Sequence, residues 1–138
     1  MTKFESEIKT INAPISSVYT TLSDLSNIER IKSRIPEGKI ENLNFTEDTL
    51  SFSISPIGEI QLEIVEKEVD KVIKFSSTKS PIAFKLWIQL LPGNENLTRM
   101  KLTIDAELNM FTKGIASKPL TEGVEKLADM LALIPYNK

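Results

Sequence analysis

The stretch RMKLTIDAEL, residues 99–108, alternates strictly between apolar and polar side chains. Its apolar members are Met100, Leu102, Ile104, Ala106 and Leu108. Polar and charged side chains fill the positions between them, from Arg99 to Glu107. Because successive side chains of a strand point to opposite faces, this period of two predicts a β-strand with one buried face and one face in water.

The stretch LTEGVEKLADMLALI, residues 120–134, has the period of an α-helix. Its apolar stripe follows the spacing i, i+4, i+7, i+11 and i+14, at Leu120, Val124, Leu127, Leu131 and Ile134. We expect this helix to begin after Gly114, with Pro119 in its first turn, and to end at Pro135. Glu122 and Glu125 then lie near its positive end. A helix with one broad apolar face must bury that face, and the sheet is the surface available to receive it.

The N-terminal residues predict a strand followed by two short helices. Residues 4–11 alternate, with Phe4, Ser6, Ile8 and Thr10 on one face. Next, the segment Asn12-Ala13-Pro14 predicts a helix start, with the Asn12 side chain as its cap and Pro14 in its first turn. A second short helix is expected from Leu25 to Ile31, capped by Ser23-Asp24.

Between residues 39 and 109 the pattern is one of strands, with turns expected at Glu47-Asp48, Asp70-Lys71 and residues 92–96. The alternation in residues 59–69 changes phase at Val65, which predicts a β-bulge near Ile64-Val65. The order of elements predicts an α+β fold, in which a curved antiparallel sheet of about seven strands surrounds the long C-terminal helix. We expect residues 1–138 to form a single domain.

Composition excludes several kinds of site. The chain has no cysteine and no histidine, which removes disulfides, thiolate metal sites and the commonest general base, so no cofactor or metal is expected. The net charge is −2 with scattered Lys and Arg, which argues against nucleic-acid binding. No apolar run approaches the roughly 20 residues of a transmembrane segment, and the polar N-terminus does not resemble a signal peptide. A cytoplasmic protein, monomeric or homodimeric, is the expectation.

The segments Ala13-Pro14, Val18-Tyr19 and Leu22-Ser23-Asp24 resemble those of the START-like, or SRPBCC, superfamily. The hairpin around residues 91–99 and the amphipathic C-terminal helix are also similar to that superfamily, so the resemblance spans essentially the whole chain. It implies the helix-grip fold and a cavity between the concave face of the sheet and the C-terminal helix. Lipids, sterols and other apolar molecules occupy that cavity across the superfamily.

The resemblance leads to a binding or carrier function for a small hydrophobic or amphipathic ligand. The side chains expected to contact the ligand come from the inward strand faces, the C-terminal helix stripe and the first helix: Phe52, Ile54, Phe75, Leu86, Ile88, Met100, Leu102, Ile104, Leu120, Val124, Leu127 and Tyr19. The same apolar side chains would serve equally as a filled core.

Two other functions stay open at this point. One is an enzyme of the cyclase or hydrolase kind, which would need Tyr, Lys, Asp or Glu for proton transfer; most of the carboxylates, Asp105 among them, fall on the polar parity and are expected in water. The other is a protein-interaction domain. The alternation favours an outward-facing Trp87, where an aromatic side chain can mark a contact surface.

The tip Met110-Phe111 could gate a cavity, touch a membrane or cap the core, and we expect it to cap the core.

Overall fold

The computed structural model describes residues 2–26, 41–54, 58–79, 83–134 and 136. Its strands are β1 (Thr2–Glu5), β2 (Lys9–Ile11), β3 (Glu41–Phe45), β4 (Thr49–Ile54), β5 (Gly58–Glu68), β6 (Val72–Lys79), β7 (Phe84–Asn94) and β8 (Leu97–Ala106). Its helices are α1 (Ile15–Leu22) and α2 (Met110–Ala132).

The eight strands of the described residues belong to one antiparallel sheet with the order β1-β8-β7-β6-β5-β4-β3, and β2 also pairs with β8. The sheet curls into a half-barrel, and the long helix α2 packs on it, which confirms the predicted α+β helix-grip fold. Since β1 and β2 extend the same edge along β8, the sheet has seven strand positions, as the sequence predicts.

The first strand is interrupted, which the sequence did not predict. Phe4 lies opposite Ile104, but Lys9 lies opposite Met100, so one extra residue enters the ladder between β1 and β2. Ser6 bridges the break, because its backbone N–H donates to the Leu102 carbonyl and its hydroxyl accepts from the Leu102 N–H, both at 2.9 Å. Because of the extra residue, the side chains that follow it face the side of the sheet opposite to the one that the alternation predicts. Ile11 is therefore buried, whereas Ile8, expected to face inward, is 57% exposed.

The bulge predicted near Ile64-Val65 is confirmed. Ile64 pairs with Phe75 and Glu66 pairs with Lys74, which leaves Val65 as the unpaired residue. The tight turn at Asp70-Lys71 is also present: Asp70 has a φ of 58°, and the Lys71 amide donates to the Glu68 carbonyl at 3.0 Å. Asp tolerates the left-handed conformation better than most residues, since its short polar side chain can bond locally.

The loop expected at residues 92–96 is much shorter than predicted. The ladder continues past the proline, with Pro92 opposite Thr98 and Asn94 opposite Leu97. The pairing of β6 with β7 ends where Val72 meets Gln89, so β7 has no second ladder with β6 at Pro92. A proline is tolerated in a strand where its missing N–H is not needed.

Helix α1 begins at Ile15, with Pro14 at its N-cap position and no side-chain cap, so the prediction of an Asn12 cap is wrong. The amides of Ser17 and Val18 reach the Pro14 carbonyl instead. The side chain of Asp24 accepts from the Ser26 amide at 3.1 Å, as a cap for a second helix would. The rest of that predicted helix, residues 27–31, lies outside the described residues.

Helix α2 begins at Met110, nine residues earlier than Pro119, so the predicted start is wrong. Asn109 accepts a hydrogen bond from the Thr112 amide at 2.8 Å, and the Thr112 hydroxyl accepts from the Asn109 amide at 2.9 Å. This capping box satisfies two amides and fixes the first turn. Pro119 therefore lies inside the helix, and no acidic residue occupies the first turn. The main contacts of α2 are with β8, β1 and β2, and those of α1 are with β7 and β8.

Candidate functional site

The candidate site is the apolar space between the concave sheet face and α2. Ten of the twelve side chains predicted for it belong to one buried cluster: Phe52, Phe75, Leu86, Ile88, Met100, Leu102, Ile104, Leu120, Val124 and Leu127. Their exposed fractions run from 0% to 7%. The eleventh, Tyr19 of α1, is half-buried and packs against this cluster. Ile54 ends β4, and its side chain lies outside the described part of the chain.

The cluster combines side chains of α2 with side chains of strands that are not among the main contacts of α2. Leu120, Val124 and Leu127 come from α2, whose main contacts are with β8, β1 and β2. Phe52 comes from β4, four positions from β8 in the sheet order, and Phe75 comes from β6, two positions from β8. All five side chains are nevertheless buried in the same cluster. The concave face of the sheet is therefore wider than the strip that α2 mainly covers.

Further members of the cluster were not predicted as site residues. Leu62, Ile73 and Leu90 are 0–3% exposed and lie on the inward faces of β5, β6 and β7. They belong to the same alternating patterns that identified Phe75 and Leu86, so strand parity was the signal that would have found them.

Three buried hydroxyls, those of Ser6, Thr98 and Tyr136, donate to backbone carbonyls. Thr98 is fully buried and donates to the Ala13 carbonyl at 2.8 Å, which ties β8 to the start of α1. The Ser6 hydroxyl donates to the Glu7 carbonyl at 2.9 Å, and the Tyr136 hydroxyl donates to the Leu131 carbonyl at 2.7 Å. Burial raises the pKa of Tyr136 far above its ordinary value. These three hydroxyls therefore take part in the hydrogen bonding of the fold.

One ion cluster fastens α2 to the edge of the sheet. The Lys9 ammonium on β2 contacts the carboxylates of Glu125 and Asp129, one helical turn apart, and lies 2.8 Å from Asp129 Oδ1. Glu125 also accepts the Glu7 amide at 2.9 Å. The hydrogen bond to Asp129, followed by that to Glu125, raises the pKa of Lys9, and the bond from Lys9 lowers the pKa of Glu125. This cluster holds the helix in place over the apolar face.

The outer face of the sheet carries Trp87, as the favoured interpretation predicted. Leu86 and Ile88 on either side of it are buried in the core, while Trp87 is half-buried between Lys74 on β6 and Thr103 on β8. The expectation that this face of β8 is wet is wrong for Thr103 and Asp105, which are 6% and 9% exposed. Both lie on β8 between β1 and β7, so side chains on two neighbouring strands flank them.

An open groove of about 370 Å³ runs beside Trp87 on this outer face. Its lining includes the side chains of Val65, Glu66, Lys74, Ser76 and Lys85 along with Phe75. Glu66 and Lys74 form an ion pair at 3.0 Å across β5 and β6. The groove is open and charged, and apart from Phe75 its lining residues do not belong to the apolar cluster.

The carboxylates considered for catalysis, apart from Asp105, lie in water: Glu59, Glu63, Glu66, Glu68 and Glu107 are all exposed. Within the described residues no three His, Cys, Asp or Glu side chains are grouped so as to hold a metal ion. In the same residues, no helix combines the length and the apolar character needed to cross a membrane.

No family model matches this sequence, and no curated protein matches it. Solved structures do match. A point mutant of norcoclaurine synthase from Thalictrum flavum with a transition-state analogue has a TM-score of 0.73 at 13% identity, over 95% of this chain and 91% of that one. A second structure of that synthase, with dopamine and hydroxybenzaldehyde, gives 0.71 at 13% identity over 95% and 84%. A START superfamily protein from Mycobacterium smegmatis gives 0.64 at 14% identity over 94% of each chain.

The sheet order, the helix packed on the concave face and these similarities define an α+β helix-grip fold. More particularly, it is the START-like, or SRPBCC, fold.

Proposed function

We propose that residues 1–138 form one START-like domain that binds or carries a small hydrophobic or amphipathic ligand between the sheet and α2, in the cytoplasm, as a monomer or homodimer. The observation that carries the proposal is the shared apolar cluster. Phe52 and Phe75 lie on strands beyond those that α2 mainly contacts, yet they are buried with Val124 of the helix. A concave apolar surface of this kind is the usual setting for a small-molecule site.

The similar structures support the same proposal. The norcoclaurine synthase structure holds two small aromatic molecules, dopamine and hydroxybenzaldehyde. A fold does not fix a function, so that enzyme supports binding of a small molecule by this architecture and no particular reaction in this chain. The buried hydroxyls of Thr98 and Tyr136 already donate to backbone carbonyls, and the carboxylates considered for catalysis, apart from Asp105, lie in water. A cyclase or hydrolase function is therefore less well supported than binding.

A protein-interaction function has one observation in its favour, the groove beside Trp87. Its charged pair Glu66–Lys74 and its half-buried aromatic side chain suit a polar contact with another chain. A protein-interaction function does not need a ligand between the sheet and α2, so a ligand screen distinguishes it from the ligand-binding function.

The test is a panel of fatty acids, sterols, and aromatic amines and aldehydes, read by native mass spectrometry and by thermal unfolding. A true ligand forms a one-to-one complex and, at about 100 times its Kd, stabilises the fold by about 2.7 kcal/mol. That corresponds to a rise in Tm of roughly 5–10 °C for a chain of this size. A panel in which no compound forms a complex or raises Tm contradicts the proposal.

Matched variants locate the binding. Val124 is fully buried on the sheet-facing side of α2, whereas Leu133 at the end of the same helix is 63% exposed. Val124→Phe fills space between helix and sheet, and we expect it to weaken ligand binding at least roughly tenfold. Leu133→Phe adds an aromatic ring in water and should leave binding unchanged. Equal weakening by both variants would place the ligand elsewhere.

A further inference from the structure

The N-terminal turns of α2 carry large apolar side chains in water. Met110, Phe111 and Ile115 are 93%, 77% and 50% exposed, although the sequence predicted that Met110-Phe111 would cap the core. Within the described residues, no atom outside the neighbouring helix backbone lies within 4 Å of the position that a Cβ at Gly114 would take, so the helix is open to water there. We call Met110, Phe111 and Ile115, with the exposed lysines Lys113 and Lys118, the apolar tip.

The helix is well formed at this point, so the exposure is not that of a frayed end. The capping box between Asn109 and Thr112 satisfies the first amides. The hydroxyls of Ser117 and Thr121 donate to the carbonyls of Lys113 and Ser117, at 2.6 Å and 2.7 Å. Only from Ala116 onward does the helix bury side chains in the core. The apolar tip is thus presented on a regular, hydrogen-bonded helix.

The charge of the tip is positive, in a chain whose net charge is −2. Residues 109–121 contain Lys113 and Lys118 and no acidic residue, and the acids of the helix begin at Glu122. A lysine near the positive end of a helix dipole is electrostatically unfavourable. An apolar Phe or Met side chain exposed to water is also unfavourable. A surface that is negatively charged and apolar underneath would reverse both effects.

We propose that the apolar tip docks on an anionic lipid bilayer, with Met110, Phe111 and Ile115 entering the interface and Lys113 and Lys118 against the headgroups. Helices that lie in a membrane interface combine apolar side chains with lysines in this way. Lysines near an anionic leaflet gain additional attraction, which salt screens. The docking goes beyond the proposed ligand site, because it uses residues outside the apolar cluster and does not depend on what the cluster binds.

The test is sedimentation of the full chain with vesicles of phosphatidylcholine alone or with about 30 mole per cent phosphatidylglycerol. We expect binding to the anionic vesicles at least roughly tenfold stronger than to neutral ones, and weaker binding as salt rises from about 0.1 to 0.5 M. Protein that merely extracts lipid into an internal site stays in the supernatant, so failure of the ligand proposal is distinguishable from failure of docking. A wild-type chain that does not sediment with anionic vesicles overturns the proposal.

Matched variants assign the binding to the tip. The double variant Met110→Ser/Phe111→Ser and the double variant Lys113→Glu/Lys118→Glu should each reduce vesicle binding at least roughly tenfold without lowering Tm, since these side chains are exposed. The controls are Leu91→Ser, which removes an exposed leucine on β7, and Lys85→Glu on the outer sheet face. Equal losses in the controls contradict the proposal. If the tip variants instead abolish self-association in sedimentation velocity, the tip belongs to a contact between two copies and the proposal is wrong.

Discussion

At the scale of single residues, β8 shows how far alternation alone can be trusted. The alternation correctly predicted that Met100, Leu102 and Ile104 face the core and that Trp87 on the neighbouring strand faces outward. It failed for Thr103 and Asp105, which share the outer face but are buried. Parity assigns a side chain to a face; it does not say what the strands on either side place over that face.

The two buried outer residues differ in their partners, and this gives a prediction. Thr103 donates to Gln89 Oε1 at 3.0 Å, whereas Asp105 Oδ1 has no hydrogen-bond partner in the described structure. An unsatisfied buried oxygen costs about 1–3 kcal/mol. We therefore expect Asp105→Val to raise the free energy of unfolding by about 1 kcal/mol, measured by urea denaturation.

Thr103→Val is the matched control on the same strand and face. It removes a hydrogen bond that is made, so we expect it to leave stability unchanged or to lower it by about 1 kcal/mol. If Asp105→Val instead lowers the free energy of unfolding by about 1 kcal/mol, as the loss of a formed hydrogen bond does, the Asp105 carboxylate stabilises the fold and the prediction is wrong.

At the scale of elements, the sequence predicted the type of each described strand and helix but placed several boundaries wrongly. The bulge at Val65 was predictable because it changes the phase of a clean alternation. The interruption between β1 and β2 was not, because Ser6 and Ile8 continue the alternation in sequence while the Ser6 hydroxyl replaces a backbone partner. The early start of α2 was missed because Gly114 and Pro119 are typical of helix ends, and the Asn109–Thr112 capping box outweighs both.

The attachment of α2 to β2 gives a prediction about pH. The Lys9 ammonium holds the pKa of Glu125 below its ordinary value of 4.5. The ion pair therefore stabilises the fold above about pH 4.5, and the stabilisation is lost as pH falls through the lowered folded-state pKa. We expect Lys9→Met to reduce the free energy of unfolding by less than about 1 kcal/mol at pH 7, because both carboxylates are partly in water. The difference from the wild type should shrink below pH 4.5.

Amide hydrogen exchange distinguishes this attachment from a general loss of stability. In Lys9→Met, exchange should increase in the part of α2 around Glu125 and Asp129, while the amides of β5 and β6 stay protected. Lys101→Met is the control, because Lys101 forms its ion pair with Glu5 between β8 and β1, at 2.6 Å. A uniform increase throughout the chain, or a constant difference in stability from pH 7 to pH 3, would contradict the assigned role.

At the scale of the whole molecule, the fold could be predicted from two amphipathic patterns that each need a partner surface. The strand at residues 99–108 and the helix stripe from Leu120 to Ile134 meet in one apolar cluster, as expected. That the predicted site residues share one buried surface could also be predicted, since the sequence alternation shows which side chains of a strand face the same side. Which of them meet a ligand depends on how the sheet curls and how closely α2 approaches it, and those distances arise from packing among residues far apart in the chain.

The most direct test of the central claim uses the methionine methyl groups as reporters. Met100 is fully buried on the concave face and Met130 is 9% exposed on α2, whereas Met110 projects into water. With ¹³C-methyl methionine labelling, a ligand from the panel should shift the Met100 signal progressively to saturation and leave the Met110 signal in place. If ligands that form one-to-one complexes leave Met100 unmoved, they bind outside the space between sheet and helix, and the proposed function is wrong.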